Sequence, residues 1–359
     1  MLLTLLAGCT FKTNAATDGA TGDVGSDGSM PGYCIGTFAK ICRATPPPSL
    51  LTIDAVKVLD TDHDPLCTVV TQPNGPEICA LYYGEIQINN QLVARGSRPL
   101  ALAATTAITV GPGVVNVSSQ RGQSAGAGAG TAPCGQPGHP GPSTNSGGGG
   151  GAGGSFGSQG GNGGYGGNTT AAAGSAAGTV SVPGWLVGGC AGDAGGDSVT
   201  AMSGGVAGQG GGGVYLVAGT SITVTNSVAA SGAGGTGGMT EAGGGGGGAG
   251  GLIVFEAPAV TVSGHAIANG GGGAQGGGGG AFGFSGADGH VTDNGAANGG
   301  YGTGGGGNGG GGSSLIVGAG AGAGDFYGGG GGGGGLGYIL VIGHAPAGLG
   351  DFSPPYMVR

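Results

Sequence analysis

The chain has 359 residues, a net charge of −9, and only 7% charged side chains. Its 103 glycines and 18 prolines would ordinarily signal low complexity. However, 38% of the residues are hydrophobic and they fall in compact clusters, unlike a disordered chain kept soluble by charge. The acidic balance weighs against binding nucleic acid through its phosphates.

Residues 1–9, MLLTLLAGC, read as the end of an export signal. Leu6-Ala7-Gly8-Cys9 fits a bacterial lipobox, in which small residues precede the cysteine that is lipidated and becomes the mature N-terminus. The apolar run is too short to span a bilayer. The basic stretch that should precede it is missing, which implies a true start a few residues upstream. An ordinary buried cysteine is the plain alternative. An acidic tether rich in Gly and Ser follows over residues 10–30.

Residues 31–83 differ in kind. They hold four cysteines, three consecutive prolines at 46–48, and several of the basic residues. They are expected to cap the open N-terminal end of the β structure that follows, because uncovered sheet ends invite aggregation. Setting Cys9 aside, the seven cysteines leave an even set: Cys34, Cys42, Cys67, Cys79, Cys134 and Cys190. Fifteen connectivities are open to such a set. Pairing nearest neighbours along the chain is the simplest, and an oxidising compartment would let the bridges persist.

In the same segment Asp60, Asp62 and Asp64 alternate with Thr61 and His63. Carboxylates spaced in this way can wrap a hard cation such as Ca2+. An EF-hand would need Gly at the sixth position and Glu at the twelfth. Pro65 and Thr71 stand there, so that motif fails and a solvated acidic turn is the bland alternative. No other cofactor is indicated.

From residue 84 to 359 a short template recurs. Residues 85–96 read EIQINNQLVARG and residues 221–232 read SITVTNSVAASG. Alignment pairs Ile86 with Ile222, Ile88 with Val224 and Leu92 with Val228. A third copy, AVTVSGHAIANG, places Val260, Val262 and Ala266 at the same positions. A fourth, AITVGPGVVNVSS from Ala107, fits with a one-residue slip at Val115. Each copy is two alternating strands around a turn, and an apolar strand precedes three of them: PLALAA, VYLVAG and LIVFEA. YILVIG at 338–343 is a final strand of the same type. Three strands and three turns suggest one coil of a short right-handed parallel β-helix, an all-β solenoid whose alternate residues stack inward.

Between the copies lie glycine tracts at 147–151, 243–248 and 328–335, directly abutting strands. That placement suggests ordered insertions, packed as a polyglycine-II helix related to polyproline II, in which only glycine allows such close backbones. Flexible loops are the alternative.

Several segments carry a family resemblance: GYCIGTFAKIC, SRPLALAATTAITV, GGSFGSQGGNGG and GVYLVAGTSITVTNSVAASGAGGTGG. With them the chain resembles uncharacterised glycine-rich surface lipoproteins of myxobacteria, over most of its mature length. The resemblance implies a cell-envelope location and no known activity. The coil pattern is also similar to filamentous-haemagglutinin-type β-helices, which implies adhesion by analogy of fold alone.

Catalytic signals are weak. Matches to G-x-G-x-x-G are expected by chance here, and a phosphate loop would need a Lys, whereas no Lys or Arg lies between residues 122 and 358. That lack also weighs against a polysaccharide lyase, which must stabilise a carbanion. Asp193 and Asp197 are the one close carboxylate pair of the body, as a glycosidase would require. Their glycine flanks suggest a loop. Glu256 and His265 are lone polar groups, and residues 320–326 only faintly match an RTX calcium repeat.

The expectation is therefore a non-enzymatic structural or adhesive lipoprotein at the outer membrane or cell surface of a Gram-negative bacterium. A lipid on Cys9 would anchor it. Its partners would be extracellular polysaccharide or envelope components, with no nucleic acid and no nucleotide. The alternatives are a carbohydrate-active β-helix enzyme, or a polysaccharide- or ice-binding protein with regular outward Thr ladders.

Overall fold

The computed structural model describes residues 32–141, 147–198, 202–315 and 317–359. The expected lipidation site, Cys9, and the whole of the tether at 10–30 lie outside the described residues. Among the described residues there are strands and no helix. Glycine disfavours helix by about 1 kcal/mol per residue, and the alternating Val, Ile and Thr clusters favour strands.

The chain opens with a hairpin of β1 (Tyr33–Ile35) and β2 (Ile41–Arg43). It continues through β3 (Leu50–Ile53), β4 (Lys57–Asp60), β5 (Thr68–Val70) and β6 (Ile78–Tyr83). Next come β7 (Glu85–Ile88), β8 (Gln91–Arg95), β9 (Leu100–Ala104), β10 (Ala107–Val110) and β11 (Val114–Asn116). A long glycine-rich excursion precedes β12 (Gly213–Ala218), β13 (Ser221–Val224) and β14 (Ser227–Ala229). A second precedes β15 (Leu252–Glu256), β16 (Ala259–Val262) and β17 (His265–Ile267). A third leads to β18 (Tyr338–Ile342), β19 (Asp351–Ser353) and β20 (Met357–Val358).

Apart from the β1–β2 hairpin, the strands fall into three open sheets. Their orders are β16-β13-β10-β7-β3, β19-β17-β14-β11-β8-β4 and β20-β18-β15-β12-β9-β6-β5. Pairing within them is parallel, except that β5 runs antiparallel to β6. Residues aligned by the sequence repeat become direct neighbours. Ile86, Ile108, Ile222 and Val260 form one row, and Leu92, Val115, Val228 and Ala266 another. The one-residue slip is absorbed in a turn, since Asn89-Asn90 separates β7 from β8 and Gly111-Pro112-Gly113 separates β10 from β11.

The expected β-helix solenoid is corrected by this topology. The strands form three separate parallel sheets, each with two edges, and no sheet is closed or solenoidal. Excursions as long as residues 117–212 and 268–337 stand where a solenoid would have short turns between coils. Of the three, the seven-stranded sheet is covered on both faces, as parallel sheets of α/β proteins are, here without helices. One apolar core lies between the sheets, with Ile86, Leu92, Leu102, Leu216, Ile222 and Phe255 fully buried. A second lies on the other face of the seven-stranded sheet, where Tyr215, Val254 and Leu340 pack under Phe156, Leu186 and Val187. Residues 31–83 do more than cover an end, since β3, β4 and β6 pair in register within the three sheets.

The glycine tracts form a hydrogen-bonded body of their own. Along the tract at 328–335, successive amides turn to three different neighbours. Gly328, Gly331 and Gly334 donate to Gly277, Ala274 and Gly271, which run antiparallel. Gly329, Gly332 and Gly335 donate to Gly148, Gly151 and Gly154, which run parallel, and Gly330 and Gly333 to Ala323 and Gly320. A chain with three residues per turn presents its amides in this way. The tracts run in line with the seven-stranded sheet, 204–212 leading into β12, 242–251 into β15 and 328–337 into β18. The body therefore extends that sheet beyond the N-terminal ends of its strands.

Candidate functional site

Among the described residues, tracts reverse direction at the end of this body farthest from the strands, and these reversals carry apolar side chains. Tyr165, Met202, Met239, Phe282, Tyr301 and Phe326 stand there with exposures of 54, 38, 40, 62, 78 and 58%. Hydrogen bonds between the reversals tie them into one surface. Asp325 donates its amide to the Tyr165 carbonyl, Met239 to Ser203, and Glu241 to Gly278. Gln275 donates from Nε2 to the carbonyls of Gly302 and Gly306. The rings rest on glycine: Phe284 lies so close to Gly302 that a Cβ there would be 2.2 Å away, and Tyr327 covers Gly279 likewise at 2.6 Å. Phe326 packs edge-on against Tyr327, their centroids 5.3 Å apart.

Two further properties mark this end. Among the described residues the charged side chains on these reversals are carboxylates, Asp197, Glu241 and Asp325; Arg121 reaches the glycine body elsewhere, docking at Gly286. Three non-glycine residues here, Asn168, Thr169 and Glu241, hold positive φ angles of 53°, 74° and 60°. Such conformations cost free energy and persist only where the surroundings impose them.

A second surface is the outward face of the five-stranded sheet. Thr52, Gln87, Thr109, Thr223 and Thr261 stand in one continuous row across it, all half-buried. Successive side chains in such a row are about 4.8 Å apart. The sequence showed only isolated threonines, because the row arises from pairing across distant segments.

The residues singled out from sequence separate in space. The three aspartates of the acidic turn have different partners. Asp60 accepts from the Asp62 amide and pairs with His63. Asp62 accepts from the amide and hydroxyl of Ser97, and Asp64 accepts from Lys57 Nζ at 2.6 Å. In Asp60 the Asp62 amide is the main cause of a lowered pKa. Burial pushes Asp62 and Asp64 up, but hydrogen bonds from Ser97 and Lys57 outweigh it and hold both below the usual range. Among the described residues no three His, Cys, Asp or Glu side chains converge as a metal site would require.

The six cysteines form three disulfides, Cys34–Cys42, Cys67–Cys79 and Cys134–Cys190. Asp193 and Asp197 do not face each other as a carboxylate pair: Asp193 binds His139 Nδ1 at 2.7 Å and Asp197 accepts from the Gly204 amide. Glu256 accepts from the amides of Thr37 and Phe38 and from the buried Tyr215 hydroxyl. Burial first, and Glu256 second, push the Tyr215 pKa far up. His265 faces Asp351 at 3.4 Å. A groove of about 650 Å³ runs past Val58, Val93, Arg95, Asn116 and Gln120, and the Arg95 guanidinium in it donates to Ser124 and Gln120.

Comparison with family models, with curated proteins and with solved structures yields no match.

Proposed function

We propose that the protein is a non-enzymatic adhesive scaffold of the cell envelope, anchored near its N-terminus and binding through the far end of its glycine body. The observation that supports this reading is the polarity of the molecule. The glycine body leaves the seven-stranded sheet at the N-terminal ends of β12, β15 and β18, where 251 precedes β15. The N-terminal hairpin docks towards the opposite ends, through Glu256 at the end of β15. A tether leading from that hairpin to a lipid on Cys9 would point the ring-bearing reversals away from the membrane. Exposed apolar groups held on a stiff support are a surface for interaction, not a stray cost of folding.

The test is paired. Cys9→Ala should move the protein from the membrane fraction to the soluble fraction. Cells carrying a Tyr165→Ala, Phe282→Ala, Tyr301→Ala triple variant should keep the protein at the surface and lose adhesion to other cells or to a substratum. A mature protein without lipid, or unchanged adhesion, would overturn the reading.

A second reading is favoured by the threonine row. A row of threonine hydroxyls and methyls at regular strand spacing, interrupted by Gln87, suits an ordered hydroxyl lattice, such as packed polysaccharide or ice. Thr223→Tyr, in the middle of the row, would block such contact, and inhibition of ice recrystallisation by wild type and variant would read it.

A further inference from the structure

We infer that the ring-bearing end recognises an uncharged polysaccharide, stacking its apolar sugar faces on separate aromatic side chains. This inference rests on the adhesive reading above and names the class of ligand for that same surface.

Tyr165, Phe282 and Tyr301 stand on three different reversals and are each more than half exposed. Among the described residues no two of these three rings pack against each other, whereas an amphipathic helix of a partner protein would need a continuous apolar groove. Single rings set apart on a stiff support suit a ligand with repeated small apolar faces separated by polar groups. A chain of pyranose rings is such a ligand, with axial C–H groups on its faces and hydroxyls around its rim.

The groups beside the rings are of the matching kind. Asn168, Thr169 and Thr170 lie on the reversal of Tyr165, Thr303 on that of Tyr301 and Thr240 on that of Met239, and their neutral amides and hydroxyls can both donate and accept. Asn168 and Thr169 hold their positive φ angles in a reversal bound to Asp325, whose carbonyl accepts from the Asn168 amide.

Charge then narrows the class. Among the described residues of the reversals the charged side chains are Asp197, Glu241 and Asp325, with no Lys or Arg. Sulfated or uronate polymers, phosphates and anionic lipid would be repelled, and no guanidinium fork is present to hold a carboxylate. A neutral hexose polymer remains.

The support is also rigid enough to make binding efficient. A loop that must be ordered on binding loses affinity to the entropy of ordering. Here the glycine body fixes the rings beforehand, the Tyr165 and Phe282 reversals being held by main-chain bonds to their neighbours and the Tyr301 reversal by the Gln275 side chain.

The experiment uses the full-length chain and four probes: insoluble β-1,4-glucan, insoluble β-1,3-glucan, alginate, and vesicles of phosphatidylglycerol. Co-sedimentation is measured for wild type, for Tyr165→Ala, Phe282→Ala and Tyr301→Ala singly and together, and for Leu349→Ala. Leu349 is 99% exposed and lies just before β19, away from the reversals. Wild type should sediment with at least one neutral glucan and with neither anionic probe. The triple variant should bind at least tenfold more weakly with unchanged melting, Leu349→Ala should behave as wild type, and Tyr301→Trp should retain binding. No retention on either glucan, retention only on alginate or vesicles, or an unaffected triple variant would overturn the inference. Loss of cell adhesion in the triple variant without glucan binding by wild type would leave the adhesive reading standing and remove this one.

Discussion

Glu256 shows how much one carboxylate settles in a chain with so few charges. It takes two amides from the β1–β2 hairpin and one hydroxyl from β12, joining three segments far apart in sequence. Glu256→Ala would leave the Tyr215 hydroxyl and the Thr37 and Phe38 amides without that acceptor. An unpaired buried donor costs about 1–3 kcal/mol. The variant should melt earlier and show faster hydrogen exchange at Thr37 and Phe38, whereas Glu256→Gln, which keeps an acceptor oxygen, should lose less. The acidic turn makes a second prediction at this scale. Asp62 and Asp64 have folded pKa values below those of the unfolded chain, about 3.9 for Asp. The unfolded state therefore binds more protons in that range, and the stabilisation is fully present above about pH 4 and lost as pH falls through the folded values. Thermal melting followed from pH 7 to pH 2 should fall below pH 4, and Asp64→Asn should lower stability at pH 7 while flattening that fall.

Among the elements, the three disulfides differ in what they close. Cys34–Cys42 spans 8 residues within one hairpin, while Cys134–Cys190 spans 56 and ties together two parts of the glycine-rich excursion after β11. The Cys190 carbonyl also accepts from the amide of Ala249, within the tract that leads into β15. Because constraint of the unfolded chain grows with loop length, Cys134→Ser with Cys190→Ser should cost roughly 2–4 kcal/mol, more than the same change at Cys34 and Cys42. Urea unfolding of both double variants would read the difference. The strands themselves were legible from alternation, and the repeat correctly predicted which residues would be neighbours, as with Ile222 and Val260. The architecture was misjudged because local periodicity says nothing of how successive triplets are joined. The contribution of β3 and β4 to the sheets was hidden by the prolines and cysteines around them. The ring-bearing surface was illegible for a related reason. Tyr165, Phe282 and Tyr301 are isolated letters in glycine runs, and only the hydrogen-bond register between tracts brings them to one end.

For the whole molecule, the main question is how a body made largely of the most flexible residue stays ordered. Fixing glycine costs more backbone entropy than fixing any other residue, so close packing and complete pairing of backbone groups must offset it. The geometry shows how close that packing is. A Cβ on Gly246 would lie 1.9 Å from the Ala152 carbonyl oxygen, and one on Gly332 would lie 2.0 Å from that of Gly161. Both contacts are with backbone, which cannot rotate away as a side chain can. Gly280, at a reversal, has nothing within 4 Å of the same position. Gly246→Val and Gly332→Val should therefore each force neighbouring tracts apart, break main-chain bonds on more than one side and lower the melting temperature clearly. Gly280→Val adds the same side chain where there is room and should leave melting near the wild-type value. Amide exchange across residues 243–248 and 328–335 should be slow in wild type and in Gly280→Val, and fast in the two mid-tract variants. Equal melting in all three variants, with freely exchanging tract amides in wild type, would mean that the tracts are loops and that the sheets alone hold the fold.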